Sequence, residues 1–280
     1  MYRYKIGFIG LGLMGGSLSI ALQKLPSKDY YLGYDHNTLH CQQALALNLV
    51  DKIALSLEEI KSCDIIFISI PVDGIIAVSQ LLVGISKDCT VIDLGSTKEK
   101  ISASIPPSIR SNFVTAHPMT GTEKFGPTSA IDNLYTDKVV VLCDIRKSGS
   151  HQEKIAKTLF TDIGMNIVCM DAKEHDRHAA FISHMPHALS YALANAVIQQ
   201  EDATSIIALA GGGFRDMSRI AKSSPSMWED IFRQNKTNVL EALDSFQLEL
   251  AKCQEMVENE EWDKLNSWMK DANTLHTILK

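Results

Sequence analysis

The chain has 280 residues, 45% of them hydrophobic and 21% charged, an ordinary globular composition with room for two domains. Its formal charge is −6, from 27 basic and 33 acidic residues. That excludes a broad electrostatic grip on nucleic acid or on an anionic membrane, but leaves room for a basic pocket that takes a small anion.

The N terminus, MYRYKIGFIGLGLMGG, has basic residues followed by an apolar stretch, as a signal peptide would. Gly7, Gly10, Gly12, Gly15 and Gly16 break that stretch, and no small-x-small cleavage site follows. No run reaches the roughly 18 apolar residues of a transmembrane helix. Cys41, Cys63, Cys89, Cys143, Cys169 and Cys253 are scattered without a CxxC pair. The pattern predicts reduced thiols in a cytoplasmic protein and no structural zinc.

In chain order, strands are expected at Lys5–Ile9, Tyr30–Tyr34, Ile65–Ile70, Thr90–Leu94, Asn112–Thr115, Lys138–Cys143 and Asn166–Met170. Helical patterns lie between them, among them Gly15–Gln23, Thr38–Asn48 and Ile155–Ile163. This alternation predicts a doubly wound, mostly parallel α/β sheet with both faces covered. From Asp171 onward no strand is expected, so the domains read as 1–170 and 171–280, the second all helical. Pro186 should kink the run Ala172–Gln200. After Pro225, the apolar residues Phe232, Val239, Leu243, Phe246, Leu250, Cys253 and Val257 share one helical stripe, which wants a partner.

The first strand runs into Gly10-x-Gly12-x-x-Gly15, and a helix opens there. Gly10 permits a tight turn, Gly12 lets the backbone approach a pyrophosphate, and Gly15 allows close packing of helix on strand. Leu13 and Met14 lie within this loop as further cofactor-binding candidates, and the helix that follows turns its free amides and positive dipole end toward the phosphates. Asp35 ends the second strand, twenty residues after Gly15. A carboxylate there accepts ribose hydroxyls and repels a 2′-phosphate, and His36 and Asn37 follow it rather than Arg or Lys. The cofactor reading is NAD. Ser69 and Pro71, and Gly95-Ser96-Thr97-Lys98, end two further strands on the same edge, beside the expected nicotinamide.

Four polar groups remain. His117, in HPMTGTE, is a natural proton acceptor for an alcohol losing hydride. Ser183, His184 and His187 share the run SHMPH. On a regular helix His175 and His178 fall on the side away from His184 and His187, which argues against a four-histidine metal cluster; no metal is expected. Gly211–Gly213 suggest a close approach or a strained turn, and Arg215 and Arg219 beside them suit a carboxylate. Trp228 lies beside a turn and can line a pocket or plug an interface.

Taken together, GLGLMGGSL (10–18), Asp35, DLGSTK (93–98), AHPMTGTEKFGP (116–127), SHMPHALSYALA (183–194), GGGFRDMSRIA (211–221) and PSMWEDIF (225–232) resemble the prephenate and arogenate dehydrogenase family of tyrosine biosynthesis. The resemblance implies a Rossmann domain, a helical dimerisation domain and a homodimer. It implies NAD-dependent oxidation of prephenate, with loss of CO₂, to 4-hydroxyphenylpyruvate. His117 resembles the catalytic histidine, and Ser96 the residue that orients that histidine, the substrate hydroxyl and the nicotinamide. Arg219 resembles the arginine that holds the ring carboxylate. Thr122, Glu123, Ser183, His187 and Gly212 resemble other pocket members, and Trp228 one contributed by the partner subunit. A glycine loop starting at residue 10 implies a monofunctional enzyme, with any tyrosine inhibition competitive at the active site.

Three alternatives stay open. Arogenate differs from prephenate only in its side chain; His187 as a donor and the NAD reading favour prephenate. A β-hydroxyacid dehydrogenase shares the GLGxMG loop but uses a Lys or Asp on the inter-domain helix, where this chain has Lys173 near the start and SHMPH in the middle. A non-catalytic NAD-sensing module would need the loop but not His117, His187 and Arg219.

Overall fold

The computed structural model of the chain describes residues 4–26, 30–200 and 202–278. Eight strands form one sheet: β1 (Lys5–Ile9), β2 (Tyr30–Tyr34), β3 (Lys52–Ile53), β4 (Ile65–Ile68), β5 (Thr90–Asp93), β6 (Phe113–Pro118), β7 (Val139–Cys143) and β8 (Asn166–Met170). Their order is β3-β2-β1-β4-β5-β6-β7-β8. The first six are parallel, β7 runs antiparallel to β6, and β8 is parallel to β7. The strand order reverses between β1 and β4, so the dinucleotide crevice opens at their carboxyl ends, at Gly10 and Ser69.

The seven expected strands are all present, and β3 is the addition, since two residues are too few to show a period. β6 reaches Pro118, farther than Asn112–Thr115, because His117 and Pro118 pair with Val141 and Val140 of β7. His117 therefore sits within a paired strand, not in the loop after it.

The strands read as continuous apolar runs because both faces are buried. One face packs Ile6, Phe8, Leu18, Tyr31 and Phe67 together, with Phe8 stacked on Phe67 at 5.6 Å and edge-on to Tyr31 at 5.5 Å. The other packs Ile9, Leu32, Ile66, Ile68, Val72, Ile75 and Val91. Covering helices are α1 (Leu13–Gln23), α2 (Thr38–Ala46), α3 (Leu57–Lys61), α4 (Val72–Leu81), α5 (Glu99–Ser104) and α6 (Ser150–Asp162).

After β8 the described residues are helical. The run expected to kink at Pro186 is α7 (Ala172–Ala179), a π-helical turn (Ala180–His184) and α8 (Met185–Ile198). Proline has no N–H and crowds the preceding turn, so the wider π turn falls just before it and Pro186 sits in the first turn of α8. Helices α9 (Ala203–Ala208), α10 (Gly212–Ser218) and α11 (Pro225–Gln234) follow. Gly211–Gly213 cap and open α10, and no positive φ occurs there. A Cβ added at any of them would meet nothing within 4 Å, so the expected strain and close approach are not built within the chain.

The apolar stripe expected after Pro225 is divided. Asn235 separates α11, which holds Phe232, from α12 (Lys236–Glu258), which holds Val239 to Val257. The residues up to Asn235 and those from Lys236 onward make two compact units. In the second unit, α12 is followed by α13 (Trp262–Asn273) and α14 (Leu275–Ile278), and Trp268 Nε1 donates to Glu249 at 3.0 Å. No helix among the described residues is long and apolar enough to cross a membrane.

Candidate active site

The glycine loop leaves β1 at Gly10, whose φ is +94°. A Cβ on Gly10 would strike the carbonyl of Ser69, and one on Gly15 the carbonyl of Gly10. Gly12 differs, because a Cβ there would meet only the Gly126 nitrogen, at 3.9 Å. Two glycines thus close the turn, and the third borders open space. Gly12 caps α1, no side chain caps the helix, and the first turn carries no acid. The leading amides, Leu13 and Met14 among them, lack intrahelical partners and suit a phosphate.

Ser69 Oγ donates to the Gly10 carbonyl at 2.8 Å, tying the end of β4 to the loop, and Pro71 opens α4 beside it. Asp35 accepts from the amide of Leu11 and from that of Asn37, both at 2.9 Å. This fixes its carboxylate at the end of β2 with lone pairs left over for ribose hydroxyls. His36 and His40 flank it, each at 3.5 Å. The residues present fit NAD.

A second cluster gathers around His117. Its Nδ1 lies 2.8 Å from His175 Nε2, and His175 Nδ1 lies 2.8 Å from Asp176 Oδ1. Asp176 accepts from the main-chain amides of Lys98 (2.7 Å) and Glu99 (2.9 Å). The Lys98 side chain turns inward, where Nζ pairs with the Asp93 carboxylate and donates to the Ala116 carbonyl at 2.7 Å. Ala116 precedes His117, so Lys98 braces both the strand and the helix of the cluster. Ser96 follows β5 two residues earlier and is half-buried. Burial, then the neighbours His175, Lys98 and His184, hold His117 well below the usual histidine range.

His184 and His187 meet Trp228. The Trp228 ring stacks on His187, 3.6 Å between centroids and 22° from parallel, and stands edge-on to His184. Trp228 is only 5% exposed and lies against its own chain's His187. His184 Nδ1 faces Asn235 Nδ2 at 3.1 Å, and Asn235 also donates to the carbonyl of Asp176 at 2.7 Å. A regular helix would place His184 on the side away from His175. The π turn rewinds the run, and His184 instead lies within electrostatic reach of His117, His175 and Asp176. His178 alone of the four is exposed. Among the described residues no three His, Cys, Asp or Glu side chains gather as a metal would require.

Ser183 accepts through its carbonyl from His187 Nδ1 at 2.9 Å. Burial lowers His187, and nearby Arg219 adds to that. Arg219 is exposed and, with Phe214, Arg215 and Lys222, lines a hollow of about 420 Å³. Arg215 donates to the Ala210 carbonyl at 3.2 Å, a local structural bond. Gly212 is exposed at the start of α10, and Thr122 and Glu123 are exposed in the segment after β6. Thr122 Oγ1 accepts from the Lys124 amide at 3.2 Å.

Sequence reasoning missed His175, Asp176 and Asn235 as parts of the site, and it placed Lys98 at the nicotinamide edge without its inward pairing with Asp93. One signal was available: His175 and Asp176 are adjacent polar residues at helical spacing between Ala172 and Ala179, on the buried face of α7.

The strand order, the open glycine cradle and the half-buried histidine define a dinucleotide-dependent oxidoreductase. The family model for the prephenate dehydrogenase nucleotide-binding domain matches residues 18–169, and that for the dimerization domain matches residues 171–271. The prephenate dehydrogenase of Bacillus subtilis is 32% identical over 270 residues, 94% of this chain and 72% of that protein. The crystal structure of prephenate dehydrogenase from A. aeolicus, in complex with hydroxyphenyl propionate and NAD+, superposes with a TM-score of 0.93. It is 32% identical, covering 100% of this chain and 99% of that one. Synechocystis arogenate dehydrogenase gives a TM-score of 0.81 at 26% identity, covering 99% and 100%. The chain belongs to the prephenate dehydrogenase family, whose two domains it carries in order.

Proposed function

We propose that the chain converts prephenate to 4-hydroxyphenylpyruvate with NAD as oxidant, His117 serving as the base. The observation that carries this reading is a histidine kept neutral by burial at the carboxyl edge of the same sheet that bears the glycine cradle. NAD, when bound, accepts the hydride. Gly10, Gly12, Leu13, Met14, Gly15 and Asp35 hold it, with Ser69, Pro71 and Ser96 on the nicotinamide side.

Neutral His117 draws the proton from the ring hydroxyl as hydride leaves the carbinol carbon, and Ser96 orients that hydroxyl. Loss of the ring carboxylate as CO₂ then aromatises the ring. Arg219 holds a substrate carboxylate, since a guanidinium offers paired donors to a planar anion. Thr122, Glu123, Ser183, His187, Gly212 and Trp228 complete the pocket. Arg219 must not bind the ground state so tightly that departure of CO₂ is slowed.

In this reading residues 1–170 bind the nucleotide, and residues 171–280 dimerise and bind substrate. The protein works as a cytoplasmic homodimer, and tyrosine competes at the active site. Inhibition by tyrosine that persists at saturating prephenate would contradict the last point.

The test is NADH formation with prephenate and arogenate offered in parallel. Turnover of prephenate is expected. Turnover of arogenate alone would keep the fold and base but change the substrate. Silence with both, in protein shown to bind NAD, would refute the reading.

A further inference from the structure

We infer that His175 and Asp176 form a positioning relay that holds His117 with its proton on Nδ1, leaving Nε2 as the basic nitrogen. The inference deepens the reading of His117 as the base and rests on it.

The protons can be placed by elimination. Asp176 is buried, and its carboxylate already accepts from the amides of Lys98 and Glu99, both held by the backbone. An ionised carboxylate only accepts, so His175 Nδ1, 2.8 Å from Oδ1, must be the donor. With one proton on its ring, His175 then has its lone pair on Nε2. That atom lies 2.8 Å from His117 Nδ1, which must therefore donate. The opposite set of tautomers would point a lone pair at a carboxylate oxygen.

The logic is that of a histidine oriented by a carboxylate, lengthened by one imidazole. When His117 takes a proton at Nε2, the imidazolium keeps its Nδ1–H bond to His175, and the Asp176 charge stabilises it through that ring. No proton need move along the relay.

The anchor is as specific as the chain of bonds. Lys98 holds Asp176 with its amide and, through Nζ, the carbonyl of Ala116 beside His117. Charged and titratable groups around His117 are therefore Lys98 and Asp93 from the end of β5 and the loop after it, His175 and Asp176 from α7, and His184 from the π turn. Asparagine cannot replace Asp176. Its single oxygen can face His175 and Lys98 or face Glu99, and its NH₂ then opposes an N–H on the other side.

The relay is tested first in the unmodified protein by ¹⁵N NMR of the histidine side chains, with His117 assigned from its loss in His117→Asn. The expected signature is a pyrrole-like Nδ1 and a pyridine-like Nε2. A protonated Nε2 would overturn the inference.

Kinetics give the second test. In His175→Leu, kcat is expected to fall about 100-fold, with KM and NAD affinity within about twofold. His175→Gln, whose amide oxygen can accept from Nδ1–H, should recover about tenfold over the Leu variant. In Asp176→Asn the acid limb of kcat should move about one unit lower, because the imidazolium loses its counter-charge. Unchanged kcat and acid limb in folded His175→Leu and His175→Gln would overturn the relay. If the unmodified protein turns over neither prephenate nor arogenate, the base reading fails, while the NMR signature still decides the tautomer.

Discussion

Between Gly10 and Gly15 the chain leaves space, whereas between His117 and Asp176 it fills it. The loop works through missing side chains: two glycines let backbone close on backbone, and the third borders an opening. The histidine cluster works through buried polar groups that satisfy one another, from His117 through His175 to the Lys98 and Glu99 amides. The first arrangement is mostly local, six consecutive residues closed against Ser69. The second brings together residues 58 and 78 apart in the chain. A ligand site built from backbone can be read along the sequence; one built from packed side chains exists only once the sheet and α7 have met.

The comparison breaks first at the glycines. Gly15→Val drives a side chain into the Gly10 carbonyl, so loss of folded protein is expected in expression and circular dichroism. Gly12→Ala meets only open space, so its denaturation midpoint should stay near the parent's while NAD affinity falls at least about tenfold. Equal damage from the two would erase the distinction between structural and ligand-facing glycines.

Next comes Lys98→Met. Lys98 and Asp93 are fully buried, and removing one partner strands the other's charge. Urea denaturation should show a loss of about 3–5 kcal/mol. A loss below about 1 kcal/mol would mean that the pair does not brace the cluster.

The third effect depends on pH. Burial pushes His184 down to about 4. Between the ordinary histidine value and that point the unfolded chain binds a proton that the folded chain does not. Stability is therefore full above about pH 6.5 and declines as pH falls toward about 4, by on the order of 3 kcal/mol. His117 acts in the same direction. The drop between pH 7 and pH 5 should shrink in His184→Gln, and an unchanged drop would place the proton uptake elsewhere.

The smallest effects belong to the latch between α11 and α4. Asp230 accepts from the Val72 amide at 3.0 Å, capping α4 from a distant helix. Asp230→Ala should cost about 1 kcal/mol. Arg233 bonds both Asp73 and Asp230 but is 56% exposed, so Arg233→Ala should barely move the denaturation midpoint.

The sequence carried the sheet well, since β1, β2 and β8 fall at their expected limits. Apolar runs between turn residues reveal strands directly. The π turn was hidden, because a helical wheel assumes a constant rotation per residue, and one widened turn redirects His184. The break at Asn235 was hidden for a related reason. The apolar steps from Phe232 to Val239 fit a continuous helix, and only the bonds of Asn235 to Asp176 and His184 show what interrupts it. The open space at Gly12 was legible because the turn around it is short. Asp176 was not, because its partners lie on α5's leading edge and on α7 itself.

The most direct measurement is NADH formation from prephenate by the unmodified protein and by His117→Asn, beside calorimetric NAD binding for both. Unmodified protein should turn over, and the variant should lose about 10³-fold in kcat while binding NAD as before. Full activity in His117→Asn would remove the base from the mechanism and contradict the account.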